Sequence, residues 1–332
     1  MNLHSDIRAF KELVAMAAYM FGYEQSHVEK DYWITKILHD IHDSEYAGKT
    51  YFKGGTSLYK AYGIIQRFSE DLDLFVYTGN PESSKQAEKN LNRAVSKCIT
   101  SVNSAIFREG LSETGGNYRK LHFSYGNIFE ATGLKEHLEV EISSTELSDK
   151  RNMFYPAESR EIVSIIGAYL MELGEEELLR HYELMPFTIQ CLSPKKTICD
   201  KISRLVRISY RDDYTEQLAK HVRDIYDLCE LLHISEYQDY VSSCDFISDM
   251  CKVIEEDSMR KNAPSGKLLS EATIFKIPDE VLSIPVIKSA YSNDLRKLLF
   301  DKSKMPPLND VSDALSWIHP SLVKVDEIIY RK

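Results

Sequence analysis

What this chain lacks narrows it first. No apolar run approaches the length of a membrane span. The opening residues, Met1-Asn2-Leu3-His4-Ser5-Asp6, have neither the basic start nor the apolar middle of a signal peptide. The expectation is a cytoplasmic protein without membrane contact. Its six cysteines (Cys98, Cys191, Cys199, Cys229, Cys244 and Cys251) form no C-x-x-C pair. In a reducing compartment they are expected to stay thiols, which argues against zinc and against disulfides. Positive charge is also short, with 41 Lys and Arg against 51 Asp and Glu for a net charge of −10. An extended nucleic-acid-coating surface is therefore not expected. A local basic pocket gripping one end of an RNA, or a basic protein partner, stays open. Internal repeats and low-complexity tracts are absent too. The 332 residues, 43% hydrophobic and 28% charged, suit one large or two ordinary soluble domains.

The most informative stretch is Tyr51–Val76, YFKGGTSLYKAYGIIQRFSEDLDLFV. Tyr51-Phe52-Lys53 reads as a short strand, and Gly54-Gly55 permits a sharp turn with uncovered amides. Helical spacing follows over Thr56–Tyr62. A strand, a glycine turn and a helix start together form an anion site, to which Thr56 and Ser57 add hydroxyls. Then Asp71-Leu72-Asp73-Leu74-Phe75-Val76 alternates as a β-strand, so both aspartates project from one face while the leucines pack on the other. Two adjacent carboxylates repel, and the remedies are solvation, a shared proton or a divalent cation. Alone, the glycine turn is a loop. Alone, the D-x-D is a solvated strand face or the metal motif of a glycosyltransferase. In this order and spacing they match the needs of metal-assisted phosphoryl chemistry.

Two later segments extend the pattern. Leu138-Glu139-Val140-Glu141-Ile142 is a strand with two glutamates on one face, and it offers the third carboxylate that a two-metal transferase needs. On a helix from Lys195 to about Tyr210, Ile198, Ile202 and Leu205 form the buried stripe. Lys201, Arg204 and Arg211 share another face, flanked by Arg207, which makes a positive patch suited to phosphate. Solvated glutamates on an edge strand and a solvated basic helix face are the plain alternatives.

In Lys53-Gly54-Gly55-Thr56-Ser57-Leu58-x-Lys60 and Arg67-Phe68-Ser69-Glu70-Asp71-Leu72-Asp73-Leu74 the chain resembles the AbiEii/AbiGii abortive-infection toxins of the DNA-polymerase-β-like nucleotidyltransferase superfamily. Glu29-Lys30-Asp31-Tyr32-Trp33 resembles that family's opening signature, although Lys30 and Asp31 also suit a surface salt bridge. Leu192-Ser193-Pro194-Lys195-Lys196-Thr197 with Asp200-Lys201-Ile202 resembles its lysine motif, with Asp200 where the family usually has glutamate. Arg223-Asp224-Ile225-Tyr226-Asp227-Leu228 matches its R-D-x-Y-D-L. The resemblance implies metal ligation by Asp71, Asp73 and Glu141, with Glu139 the other candidate for the third acid. It also implies triphosphate contact by Lys201 and a catalytic Asp224, with Asp227 second. Nucleotide contacts are implied at Gly54, Gly55, Thr56, Ser57, Lys60, Ser69 and Arg204.

The expected fold is α/β, a nucleotidyltransferase core with a small mixed sheet over residues 1–150. A mostly helical domain over 151–332 would complete the nucleotide cleft. The expected reaction moves an NMP from an NTP to an acceptor hydroxyl with Mg2+ or Mn2+, releasing pyrophosphate. The resemblance implies RNA (a tRNA 3′ end) as acceptor, a cognate antitoxin and a role in phage defence. Transfer to a small molecule or a protein side chain, and a nucleotide-binding pseudoenzyme acting through protein partners, are the alternatives.

Overall fold

The computed structural model describes residues 1–77, 84–98, 105–107, 113–114, 118–130, 134–144, 157–258 and 267–330. By composition 148–156 reads as a connection between domains and 80–84, 111–117 and 260–267 as turns or loops; of these only Ser84, Glu113, Thr114 and Lys267 lie within the described residues. Two compact units emerge: Met1–Gly63 with Phe68–Ser193, and Ile64–Arg67 with Pro194–Lys332.

The first unit is built on a mixed sheet. Its described strands are β1 (Thr50–Lys53), β2 (Asp71–Val76), β3 (Ala105–Phe107), β4 (Glu113–Thr114), β5 (Tyr118–Tyr125), β6 (His137–Ser144), β7 (Ala157–Ile162) and β8 (Phe187–Leu192). They lie in the order β3-β5-β6-β2-β1-β8-β7, with β4 paired to β5. The central pairs β2–β6 and β1–β8 are parallel; β1–β2, β5–β6 and β7–β8 are antiparallel. Alternation explains the central strands. Leu72, Leu74 and Val76 on β2 and Leu138, Val140 and Ile142 on β6 are all buried. Each such leucine is worth about 2–3 kcal/mol of transfer free energy. On the opposite face, Asp71 and Asp73 alternate with the leucines of β2, and Glu139 and Glu141 with the apolar residues of β6.

Helices cover the sheet. Asp6 caps α1 (Ile7–Phe21) by accepting from the Ala9 amide, and Gly22 ends it with φ 71°, a conformation that glycine takes without a Cβ penalty. Ser26-His27-Val28-Glu29 has the form of a capping box, but the N-cap of α2 (Gln25–Asp43) is Glu24, and Glu29 accepts instead from the amides of Ile128 and Phe129. Val28, Ile34, Ile37, Leu38 and Ile41 are buried on α2, which packs against α1, β6 and β8. Then come α3 (Gly54–Lys60), α4 (Ser84–Cys98), α5 (Ile165–Glu172) and α6 (Glu176–His181). The apolar spacing of Leu91, Val95, Cys98, Ile99, Val102 and Ile106 predicts one helix to about Phe107, but Ala105–Phe107 is a strand paired with β5. Strands β7 and β8 follow the expected division near residue 150 yet belong to this sheet.

The second unit is helical among the described residues: α7 (Pro194–Ser209), α8 (Tyr214–Lys220), α9 (Val222–Leu232), α10 (Ser235–Val241) and α11 (Cys244–Ser258) precede several short turns and a final helix, Leu308–Tyr330. Pro194 opens α7, where its missing N–H costs no hydrogen bond. The short segment Ile64–Arg67 joins this unit through hydrogen bonds from the Phe300 amide to Gln66 O and from the Gln66 amide to the Tyr226 hydroxyl.

Candidate active site

Sheet register assembles the first cluster. In the parallel β2–β6 pair Asp71 faces Glu139 and Asp73 faces Glu141. Lys120 of β5 stands opposite Glu141, and His122 opposite Glu139. Four carboxylates therefore share one face of the sheet, with Asp71 and Glu141 about one-third exposed and Glu139 nearly buried.

Two lysines answer that charge. Lys120 Nζ pairs with Glu139 Oε1 and lies 3.1 Å from Glu141 Oε1. Lys135 Nζ donates to Asp71 Oδ1 at 2.7 Å and to Glu139 Oε2 at 3.1 Å. Burial alone would lower both ammonium pKa values, but the carboxylates override it and raise them. Burial would likewise raise the Glu139 carboxyl; the hydrogen bond from Lys120 and the charge of Lys135 hold it below its ordinary value. Neither lysine was singled out from the sequence, because neither stands in a motif. Lys135 precedes β6 and meets Glu139 only as its i−4 neighbour.

Lys135 is itself held by a buried ion pair. Lys30 Nζ donates to Glu70 Oε2 at 2.8 Å and to Lys135 O at 2.7 Å, and Glu70 Oε2 accepts from the Lys135 amide at 2.8 Å. Lys30 is fully buried, so the surface salt-bridge reading does not hold. Asp31 is equally enclosed: it accepts from Lys60 Nζ at 2.5 Å and from the Ile165 amide at 2.7 Å. Lys60 thus fixes α2 to α3, and it also donates to Val163 O.

The glycine turn meets the carboxylates at one point. Gly54 has φ 76°, and a Cβ there would stand 2.1 Å from Asp73 Oδ2. Only glycine lets this backbone and that carboxylate coexist. Thr56 and Ser57 are almost fully buried. Thr56 Oγ1 donates to Asp71 O and lies 2.9 Å from Ser69 Oγ, while Ser57 Oγ donates to Gly54 O. In this structure their hydroxyls hold the turn against β2.

The second cluster lies wholly in the helical unit. Arg67 grips Asp227 with two bonds, Nε to Oδ1 at 2.7 Å and Nη2 to Oδ2 at 2.6 Å. Lys201 Nζ reaches Asp227 Oδ2 at 2.7 Å and Asp224 Oδ1 at 2.6 Å, and Arg204 Nη1 donates to Asp224 Oδ2 at 3.0 Å. Cations and anions alternate along this row. Burial alone would raise both aspartates; Lys201 and Arg204 hold Asp224 well below the carboxylate range, and Arg67 and Lys201 hold Asp227 below its ordinary value. Lys201 is thus buried rather than on a solvated face, while Arg204 is half-exposed. Asp224 and Asp227, polar residues near the start of α9, are ion-pair partners of Lys201. Arg67 stands in a quoted motif, but its pairing is with a residue 160 positions away and carries no local signal.

A recess of about 420 Å³ opens between α1, the start of α2 and Phe129–Glu130, and none of these carboxylates lines it.

Among curated proteins none matches the chain. Among solved structures it is similar to MenT4, a nucleotidyltransferase toxin from Mycobacterium tuberculosis H37Rv, at 16% identity over 94% of this chain and 98% of that one, with a TM-score of 0.46. The family model described as nucleotidyl transferase AbiEii toxin, type IV TA system, matches residues 36–316. That span holds both clusters, and the chain belongs to the AbiEii family of nucleotidyltransferase toxins.

Proposed function

We propose that this toxin transfers an NMP from an NTP to an acceptor hydroxyl of RNA, at a tRNA 3′ end, using a divalent cation held by Asp71, Asp73 and Glu141. The observation that carries the reading is the β2–β6 register, which lines four carboxylate side chains along one sheet face. An all-oxygen donor set suits magnesium or manganese. Against two lysines the four carboxylates leave a formal charge of −2, which matches one dication. The bare α-carbon of Gly54 keeps the side of Asp73 clear. A cation bound there lowers the pKa of the acceptor hydroxyl and offsets charge at the α-phosphate.

The chain's own groups do the rest. Asp71, Asp73 and Glu141 orient the cation, and Lys135 and Lys120 balance the carboxylates until it binds. Lys201 has three N–H donors, of which Asp224 and Asp227 take two. The remaining N–H and the Arg204 guanidinium bind the triphosphate and stabilise departing pyrophosphate. Asp224 positions Lys201, and Gly54 and Gly55 bring backbone close to the nucleotide. Asp227, itself held by Arg67, fixes that lysine as well. A cognate antitoxin restrains the activity in the cytoplasm, and release serves phage defence.

The test is incubation of the purified chain with each α-labelled NTP, magnesium and total cellular RNA. Label is expected on tRNA 3′ ends, and Asp73→Asn is expected to lose about 10³-fold in rate while keeping its melting temperature. Label on protein or on a small molecule would overturn the acceptor. Unchanged transfer by Asp73→Asn would overturn the site.

A further inference from the structure

Beside the carboxylates, the same face of β5 and β6 carries a group of different chemistry. His137 and Glu139 are two apart on β6, so they point the same way. His122 lies directly opposite Glu139 on the antiparallel neighbour β5. His122 Nδ1 and His137 Nε2 each stand 4.0 Å from one atom, Glu139 Oε2. The three candidate ligand atoms lie within 4.8 Å of one another. The imidazole rings are 4.6 Å apart between centroids, tilted by 56°. His122 and Glu139 are buried and His137 is four-fifths buried.

His137 Nε2 is a buried nitrogen without a hydrogen-bond partner. Lys120 holds the other oxygen of Glu139 and so orients the carboxylate, as outer-shell partners do at metal centres. Lys135, which also touches Oε2, keeps its shorter bond to Asp71 if that oxygen turns to a cation.

We infer that His122, His137 and Glu139 form a second cation site, selective for a borderline transition dication such as Zn2+ or Co2+. Two nitrogens and one oxygen fit that class, whereas magnesium takes oxygen ligands and retains its waters. Metal–nitrogen bonds of about 2.0–2.1 Å need the three atoms to draw together by roughly an ångström, within reach of side-chain rotation on neighbouring strands. The inference stands apart from the proposed magnesium ligands: it uses neither aspartate of β2 nor Glu141.

The full chain, stripped of metal by chelation, would be titrated with Co2+ in excess magnesium while its visible ligand-field absorption is followed. One Co2+ per chain is expected, with an intense low-coordinate spectrum and a rise in melting temperature that tracks the Co2+ concentration. His137→Gln and His122→Asn should each weaken binding by about 100-fold while folding as the parent does in the metal-free state. Asp73→Asn should leave the Co2+ spectrum intact even if transferase activity is lost. Absence of Co2+ binding under excess magnesium, or binding that survives either histidine substitution in a folded chain, overturns the inference. So does loss of the spectrum in Asp73→Asn, which would place the ion among the β2 aspartates.

Discussion

The two charged clusters obey the same electrostatics and reach opposite balances. On the sheet, four carboxylates meet two lysines and leave a formal −2; in the helical unit, Arg67, Lys201 and Arg204 meet two aspartates and leave +1. They also differ in enclosure. Asp71, Glu141 and Lys135 are about one-third exposed, whereas Asp227 is fully buried and Asp224 nearly so. Half-exposed pairs on long, flexible lysines gain little from any one geometry and rearrange easily. A desolvated row with a two-pronged arginine is fixed, because removing one member strands its neighbours without solvent. The teaching is that the first cluster is built to exchange partners and the second to hold one lysine still.

The largest expected effect would come from breaking the second cluster. Asp227→Ala removes the carboxylate shared by Arg67 and Lys201 and leaves buried positive charge undercompensated, which should cost about 3–5 kcal/mol of stability in denaturant unfolding. A loss under about 1 kcal/mol would show that the row is as labile as the sheet cluster and erase the contrast. Next comes Lys135→Met, which removes a competing cation. It should leave stability within about 1 kcal/mol and lower the magnesium concentration for half-maximal transfer by roughly tenfold. A raised requirement would mean that Lys135 helps to hold the nucleotide.

The smallest effect is one of pH. Glu230, on the same helix as Asp227, is pushed up to about 7 by burial and then by the Asp227 charge. The folded state therefore holds a proton that the unfolded state releases near 4.5, and stability falls as pH rises between these values. Asp224 and Asp227 act with the other sign. Their stabilisation is full above the ordinary carboxylate value of 3.8 and is lost as pH falls through their lowered native values. Glu230→Gln should then raise unfolding free energy at pH 8 and not at pH 4, by about 1 kcal/mol after allowance for solvent screening, read in denaturant unfolding at the two pH values.

Periodicity made much of this legible. Alternation located β2 and β6 and put the acids on one face, and the family motifs singled out Lys201, Asp224 and Asp227. What stayed hidden is what depends on pairing between distant segments. Nothing local says that Arg67 meets Asp227, that Lys120 faces Glu141, or that Lys30 and Asp31 are buried rather than on the surface. Strand β3 was concealed because Ile106 also continues the helical spacing of the preceding stripe, and only a partner strand decides between the two. The third acid was ambiguous for a similar reason. Glu139 and Glu141 share a face, and they separate only through register, one against Asp71 with two lysines, the other against Asp73.

The peptide of Lys135 is clasped on both sides, its carbonyl by Lys30 and its amide by Glu70. Backbone drift is thereby removed at that residue, and only the four-carbon arm beyond it swings. Departure of the ammonium from Asp71 is then a rotamer hop on the picosecond-to-nanosecond scale. If the sheet face takes a cation as proposed, emptying it needs only this side-chain motion.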